Sequence, residues 1–217
     1  MGQWNDIYKY DVKTYDYYNL FKPHEDMQKI LKIFKRKKVK RVLDLGSGCG
    51  RHIILLARHG FDVFGIDISE EGIKITKIWL KKKKLKANLK IASIYDKLKY
   101  PDGFFDAVIS IQVLQHGTIE KIKKAVSEIG RVLRPGGIIF ITVSGRYSEG
   151  KIRHCLVKTA KRIARNTYVP TIGEEKGLTH YIFNKEILRK VFHKFKILNI
   201  WKDERDYYCL LGELRKS

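Results

Sequence analysis

Two carboxylates and three glycines stand at a spacing that chemistry can use. Asp44 lies inside the apolar run Val42-Leu43-Asp44-Leu45 and is followed at once by Gly46-Ser47-Gly48-Cys49-Gly50-Arg51. Glycines between a strand and a helix let the backbone bend sharply and approach a ligand, and the helix start offers unpaired N–H groups. The turn departs from the dinucleotide pattern Gly-x-Gly-x-x-Gly: it reads Gly46-x-Gly48-x-Gly50, with Arg51 where a third close-packing glycine belongs. Asp44 adds a carboxylate suited to an ammonium or a polarised water rather than to a pyrophosphate. Asp67 closes the next apolar run roughly 20 residues beyond the first glycine, where a carboxylate can accept both hydroxyls of a ribose.

Two histidines are candidates for proton chemistry. His116 ends the stretch Ser110-Ile111-Gln112-Val113-Leu114-Gln115-His116. It is either a general base, since a free imidazole titrates near about pH 6.5, or a structural or pocket residue. His180, in Gly177-Leu178-Thr179-His180-Tyr181, either faces the same pocket from above or packs on Tyr181 as a loop residue.

Apolar runs alternating with helical patterns from Val39 to Val143 indicate βαβ units and a parallel sheet. Strands are expected at 42–45, 61–66, 88–92, 105–111 and 138–143, with Gly60 closing the first intervening helix and Ser69 and Thr118 capping later ones. A basic helix is expected near 152–165, a short helix after Asn184, and two final strands at 195–201 and 207–212 as an antiparallel edge. The fold class is therefore α/β: a Rossmann-like, seven-stranded, mostly parallel sheet with helices on both faces and an antiparallel edge hairpin. A single domain is expected, with N-terminal cap helices over 1–38, a cofactor-binding core over 39–143, an inserted substrate-side segment over 144–183, and a C-terminal helix and edge strands over 184–217.

Four motifs occur in order: Val42 to Gly50, Gly65-Ile66-Asp67-Ile68-Ser69, Pro101-Asp102-Gly103-Phe104-Phe105-Asp106, and Arg131-Val132-Leu133-Arg134-Pro135-Gly136-Gly137. Together, over about Val39 to Val143, they resemble the class I S-adenosylmethionine-dependent methyltransferases of the type 11-like group. The resemblance implies that Asp44 and the Gly46, Ser47, Gly48 and Gly50 turn hold the methionine end of S-adenosylmethionine, Asp67 its ribose, and Ile68 its adenine. It also implies that Ser93, Ile94 and Tyr95 line the purine and that Gln112 reaches the methionine moiety. Relatives often carry an aspartate near position 94 for the adenine amino group; here either Asp96 substitutes or the Tyr95 backbone does. Tyr8 and Tyr15 are expected to close over the sulfonium or to pack in the core. The implied reaction is a direct in-line methyl transfer, for which alignment and water exclusion suffice without a fixed catalytic residue. A dinucleotide oxidoreductase and a non-catalytic cofactor-binding protein are the other classes weighed; glycine spacing opposes the first and the intact Asp44, Gly46, Gly48 and Asp67 oppose the second.

The acceptor is not written in these motifs. Across the 217 residues, 45 Lys plus Arg against 23 Asp plus Glu leave +22, with blocks at Lys35 to Lys38, Lys81 to Lys84 and Lys158 to Arg165. This charge points to a polyanionic partner such as RNA, or reflects composition bias. The tyrosine-rich N-terminal helices and the 144–180 insertion point instead to a closed chamber for a metabolite or an oxyanion. Cys49, Cys155 and Cys209 show no paired spacing, so neither a disulfide framework nor a metal site is suggested. The longest apolar run, Ile138 to Val143, falls well short of the roughly 20 residues that span a bilayer. The first residues also lack the apolar core of a signal peptide, so a cytoplasmic, reduced protein without a membrane partner is expected; oligomeric state is open.

Overall fold

The computed structural model describes residues 2–14, 21–148, 150–153, 159–173 and 175–216. The chain opens with α1 (Gly2–Thr14) and α2 (Met27–Arg36), then enters the alternating units β1 (Arg41–Leu45), α3 (Arg51–Arg58), β2 (Asp62–Asp67), α4 (Glu70–Lys82), β3 (Asn88–Ile91) and β4 (Phe105–Ile111). A 3₁₀ turn (Leu114–His116), α5 (Ile119–Val132) and β5 (Leu133–Val143) follow. Beyond these come the short strands β6 (Tyr147–Ser148), β7 (Lys151–Ile152), β8 (Ala160–Ala164), β9 (Thr167–Pro170) and β10 (His180–Tyr181), then α6 (Lys185–Val191), β11 (Phe195–Lys202) and β12 (Tyr208–Leu214).

The main sheet has seven strands in the order β11-β12-β5-β4-β1-β2-β3. Its β1 to β5 pairings are parallel, while β12 runs antiparallel to both β5 and β11. Because successive strand side chains point to opposite faces, Leu43, Leu45, Ile139 and Ile141 enter one core with α5 and α6, and Val42, Ile138 and Phe140 enter another with α2 and α3. Both faces being covered explains why β5 reads as nearly unbroken apolar sequence. The topology delivers loops to one end: the C-terminal ends of the parallel strands and, through the reversal at β12, the β11–β12 turn.

Local signals set the helix starts. Ser69 accepts from the Gly72 N–H at 3.1 Å, Thr118 from Lys121 at 3.5 Å and Asn184 from Ile187 at 2.8 Å, each supplying a partner for an otherwise unpaired amide. Gly60 takes φ 82° just past α3 and donates to Ala57 O at 3.1 Å, closing the helix.

Two expectations are corrected. The stretch 160–164, expected as part of a basic helix, is strand β8, because Asn166 at φ 57° turns the chain into an antiparallel pairing with β9, Arg162 opposite Tyr168. β5 also begins at Leu133 rather than at residue 138, so Arg134 to Gly137 form an irregular start of the strand, with the register shifting opposite Phe105 and Ala107. The expected roles of Tyr15 and Cys155, and the helix expected over 154–158, lie outside the described residues. Among the described residues no helix is long and apolar enough to cross a membrane.

Candidate active site

The glycine turn is fixed from β2. Gly46 N and Ser47 N both donate to Ile66 O, at 2.8 and 2.9 Å. Gly46 takes φ +84°, and a Cβ there would stand 2.5 Å from the Val113 side chain, so only glycine fits without displacement. A Cβ on Gly48 would stand 2.9 Å from the Tyr8 hydroxyl, which shows α1 lying close over the turn.

Asp67 clamps this turn as well as facing the cavity. Its Oδ2 accepts from Gly48 N at 2.7 Å and its Oδ1 from Ser69 N at 2.8 Å. Burial pushes the Asp67 pKa up, and the amides of Ser69, Gly48 and Ile68 pull against that shift. Asp44 has no such help: it is buried and both carboxylate oxygens lack a hydrogen-bond partner among the described residues. Burial raises its pKa to about 7, opposed by the charge of Arg51 and reinforced by that of Asp67. Ser47 Oγ, in the turn itself, is likewise buried without a partner. A buried carboxylate without a hydrogen-bond partner under a glycine cradle, with a second carboxylate at the end of β2, is the chemistry that a cationic ligand with a hydroxylated ring would satisfy. The residues present therefore fit S-adenosylmethionine.

A cavity of about 640 Å³ opens over the turn. Gly46, Ser47 and Gly48 form one wall, Asp67 and Ile68 stand at the end of β2, and Ser93, Ile94 and Tyr95 follow β3. Gln112 closes the end of β4 with φ 62°, a conformation held by its N–H, which donates to Thr142 O at 3.0 Å and Thr142 Oγ1 at 2.9 Å. Strain of this kind in a non-glycine residue persists where the surroundings over-determine it. Tyr95 is held by its hydroxyl, which donates to Leu114 O at 3.3 Å. Three of the residues singled out from sequence do not line the cavity. Asp44 lies beneath its wall, Gly50 is the residue before α3 and its missing Cβ faces Thr76, and Asp96 is exposed.

His116 and His180 both line the cavity, with ring centroids 4.9 Å apart in an edge-on contact. Trp4 of α1 packs edge-on against His116 at 4.9 Å. Burial, then the charge of His180, lowers the His116 pKa to about 3, with the Thr179 backbone opposing. Burial and the charge of Arg153 lower His180 to about 4, and its Nε2 lies 3.4 Å from Glu175 Oε2.

Sequence reasoning missed the residues opposite the turn: Arg153, Glu175, Arg205 and Tyr207. Arg205 and Tyr207 sit in the β11–β12 turn, where both N–H groups donate to Asp203 Oδ1, at 3.0 and 2.8 Å. Asp203 is anchored in turn to His24 at 3.1 Å. Arg153 Nε donates to Gly145 O at 3.0 Å, and its guanidinium lies 4.0 Å over the Tyr207 ring. No motif spacing flags these positions; the insertion over 144–183 pointed to the region of Arg153 and Glu175, and nothing pointed to Arg205 and Tyr207 beyond the excess of basic residues.

Comparison with known proteins follows the same division. Residues 43–141 match the methyltransferase domain family. The chain is 31% identical over 107 residues to a ubiquinone biosynthesis O-methyltransferase of Dechloromonas aromatica, covering 49% of this chain and 45% of that protein. It is 29% identical over 153 residues to the EEF1A lysine methyltransferase 2 of Mus musculus, covering 64% and 63%. The chain thus spans about half the length of the curated relatives it matches. Its fold superposes on an S-adenosylmethionine-dependent methyltransferase of Clostridium acetobutylicum with a TM-score of 0.74 at 13% identity, covering 97% of this chain and 98% of that one. The glycine turn and both carboxylates fall within the matched stretch 43–141, and the strand order on which they are mounted belongs to the fold shared with that structure.

Proposed function

We propose that the chain is an S-adenosylmethionine-dependent methyltransferase acting on a small molecule inside the cavity. The observation that carries this reading is that the glycine turn with Asp67 and the arginine- and histidine-lined end open into one cavity of about 640 Å³, within the range of sites that enclose small ligands.

When bound, S-adenosylmethionine supplies a methyl group on a sulfonium, with a neutral thioether as leaving group. Asp67, already oriented by two amides, would hold the ribose through its remaining lone pairs. Asp44 gives the cationic end a counter-charge, and Ile68, Ile94 and Tyr95 offer apolar surface to the purine. Trp4 and Tyr8 of α1 exclude water from above. His116 and His180, held neutral by burial, are weak bases near pH 7 and serve as hydrogen-bonding wall rather than proton acceptors.

The relatives named above are, by their printed names, a ubiquinone biosynthesis O-methyltransferase and an EEF1A lysine methyltransferase, and neither identifies the acceptor here. An RNA acceptor has the +22 charge in its favour. Yet two of the three basic blocks, Lys35 to Lys38 and Lys81 to Lys84, lie just before β1 and β3, at the end of the sheet opposite the cavity. The small-molecule reading is therefore preferred. Its test is calorimetric titration with S-adenosylmethionine and S-adenosylhomocysteine, followed by a labelled-methyl screen of RNA and metabolite pools at two salt concentrations. Micromolar donor binding with salt-insensitive labelling of metabolites is expected; label in RNA that falls steeply with salt would reverse the choice.

A further inference from the structure

The cavity holds more positive charge than the donor can use. Five cationic side chains, Arg51, Lys121, Lys151, Arg153 and Arg205, line the cavity against two carboxylates, Asp67 and Glu175. Asp67 is committed to the amides of Gly48 and Ser69, and Glu175 faces His180. Lys121 and Lys151 are exposed, whereas the three arginines are partly buried. Among the described residues, neither Arg153 nor Arg205 forms an ion pair.

These arginines are positioned rather than loose. Arg153 is fixed by Gly145 O and by the Tyr207 ring, and it donates to Arg205 O at 3.4 Å. The backbone of Arg205 is held by Asp203, which His24 anchors. Arg51 lies within electrostatic reach of Asp44 and also of Arg205 and Tyr207, so the three arginines form one group, whereas Lys121 lies over the Tyr95 ring. The donor brings a sulfonium, an ammonium and a single carboxylate into this space, adding net positive charge. One carboxylate can answer one arginine; of Arg153 and Arg205, at least one then remains partly desolvated without an opposite charge, which disfavours a cationic acceptor and favours an anionic one.

We propose that the acceptor is a small organic acid whose carboxylate, or equivalent oxyanion, is held by Arg205 and Arg153 beside Tyr207. The planar guanidinium fork matches a carboxylate with two parallel hydrogen bonds, and stacking of Arg153 on Tyr207 lowers the entropy lost when it does so. This assignment rests on the methyltransferase reading above.

The test measures binding, not turnover. S-adenosylhomocysteine is titrated first; the loaded protein is then titrated with acetate, benzoate and inorganic phosphate, and with acetamide and benzamide as neutral counterparts. Wild type, Arg205→Gln, Arg153→Gln and the charge-retaining Arg205→Lys are compared. At least one acid is expected to bind about tenfold more tightly than its amide, with the preference lost in Arg205→Gln and partly restored in Arg205→Lys. Equal binding of acids and amides to the loaded wild type overturns the proposal while leaving the donor site intact. So does a preference that survives in both glutamine variants. Should Arg205→Gln instead weaken S-adenosylhomocysteine itself about tenfold, the arginines serve the donor's own carboxylate and the proposal falls. Failure of S-adenosylhomocysteine to bind wild type at all would overturn the methyltransferase reading, and this proposal with it.

Discussion

At one end of the cavity, Gly46, Gly48 and Asp67 in the wall and Asp44 beneath it come from one stretch of chain between β1 and the end of β2, and the carboxylates there are balanced by the neighbouring Arg51. At the other, Arg153, His180, Arg205 and Tyr207 come from separate turns and short strands scattered over the last third of the chain, and the charge is basic. The first end is held by backbone amides that would be present in any sequence adopting the turn; the second is held by side chains particular to this one. A ligand of fixed chemistry can be served by local geometry. A variable one is served by whatever side chains tertiary structure brings within reach.

The largest expected effect comes from breaking the local end alone. Gly46→Val places a branched side chain at φ +84° and against Val113. S-adenosylhomocysteine affinity is expected to fall at least about a hundredfold by calorimetry, with circular dichroism unchanged. Retained affinity would mean that the turn is not the donor cradle.

A smaller effect separates the two ends by pH. Asp44 has a pKa of about 7 in the ligand-free protein, and a cationic ligand selects its ionised form, so donor binding releases a proton. Affinity for S-adenosylmethionine is expected to level off above about pH 8 and to fall toward about tenfold per unit below about pH 6. The binding enthalpy should then vary with the buffer's heat of ionisation. Stability carries the opposite sign. The folded pKa, about 7, exceeds the ordinary 3.8, so this group's contribution is full below about pH 4 and is lost as pH rises through about 7. Asp44→Asn should flatten both trends, and a pH dependence of binding unchanged in that variant would place the proton elsewhere.

The smallest effect is expected at the second end. With a pKa of about 3, His116 contributes no limb to a rate profile between about pH 6 and 9, and His116→Gln should alter turnover of the acceptor found by the methyl screen by less than about threefold. A loss near a hundredfold together with a vanished acid limb would make it the general base.

The parallel strands and the caps Ser69, Thr118 and Asn184 were legible because each answers to residues a few positions away. The same locality misleads at Gly50 and Asp96. A motif position does not reveal that Gly50 is required by Thr76 of α4, or that Asp96 points to solvent beyond the cavity. Residues 160–164 read as helix because their basic pattern is compatible with one. Their strand state depends on β9, a partner that periodicity cannot see. Arg205 and Tyr207 stayed hidden for a stronger reason: their relation to Gly46 exists only through the strand order.

That strand order has an evolutionary corollary. Because β12 reverses direction at the sheet's edge, the β11–β12 turn reaches the cavity without threading through the parallel core, and its tip is fastened at Asp203 rather than at the glycine turn. Substitution of the Arg205 side chain therefore leaves the backbone anchor of the turn in place, while Asp206, bonded to Gly150 and Lys202, keeps a structural role. A lineage holding the methyl donor constant can retarget its chemistry by rewriting a loop of a few residues.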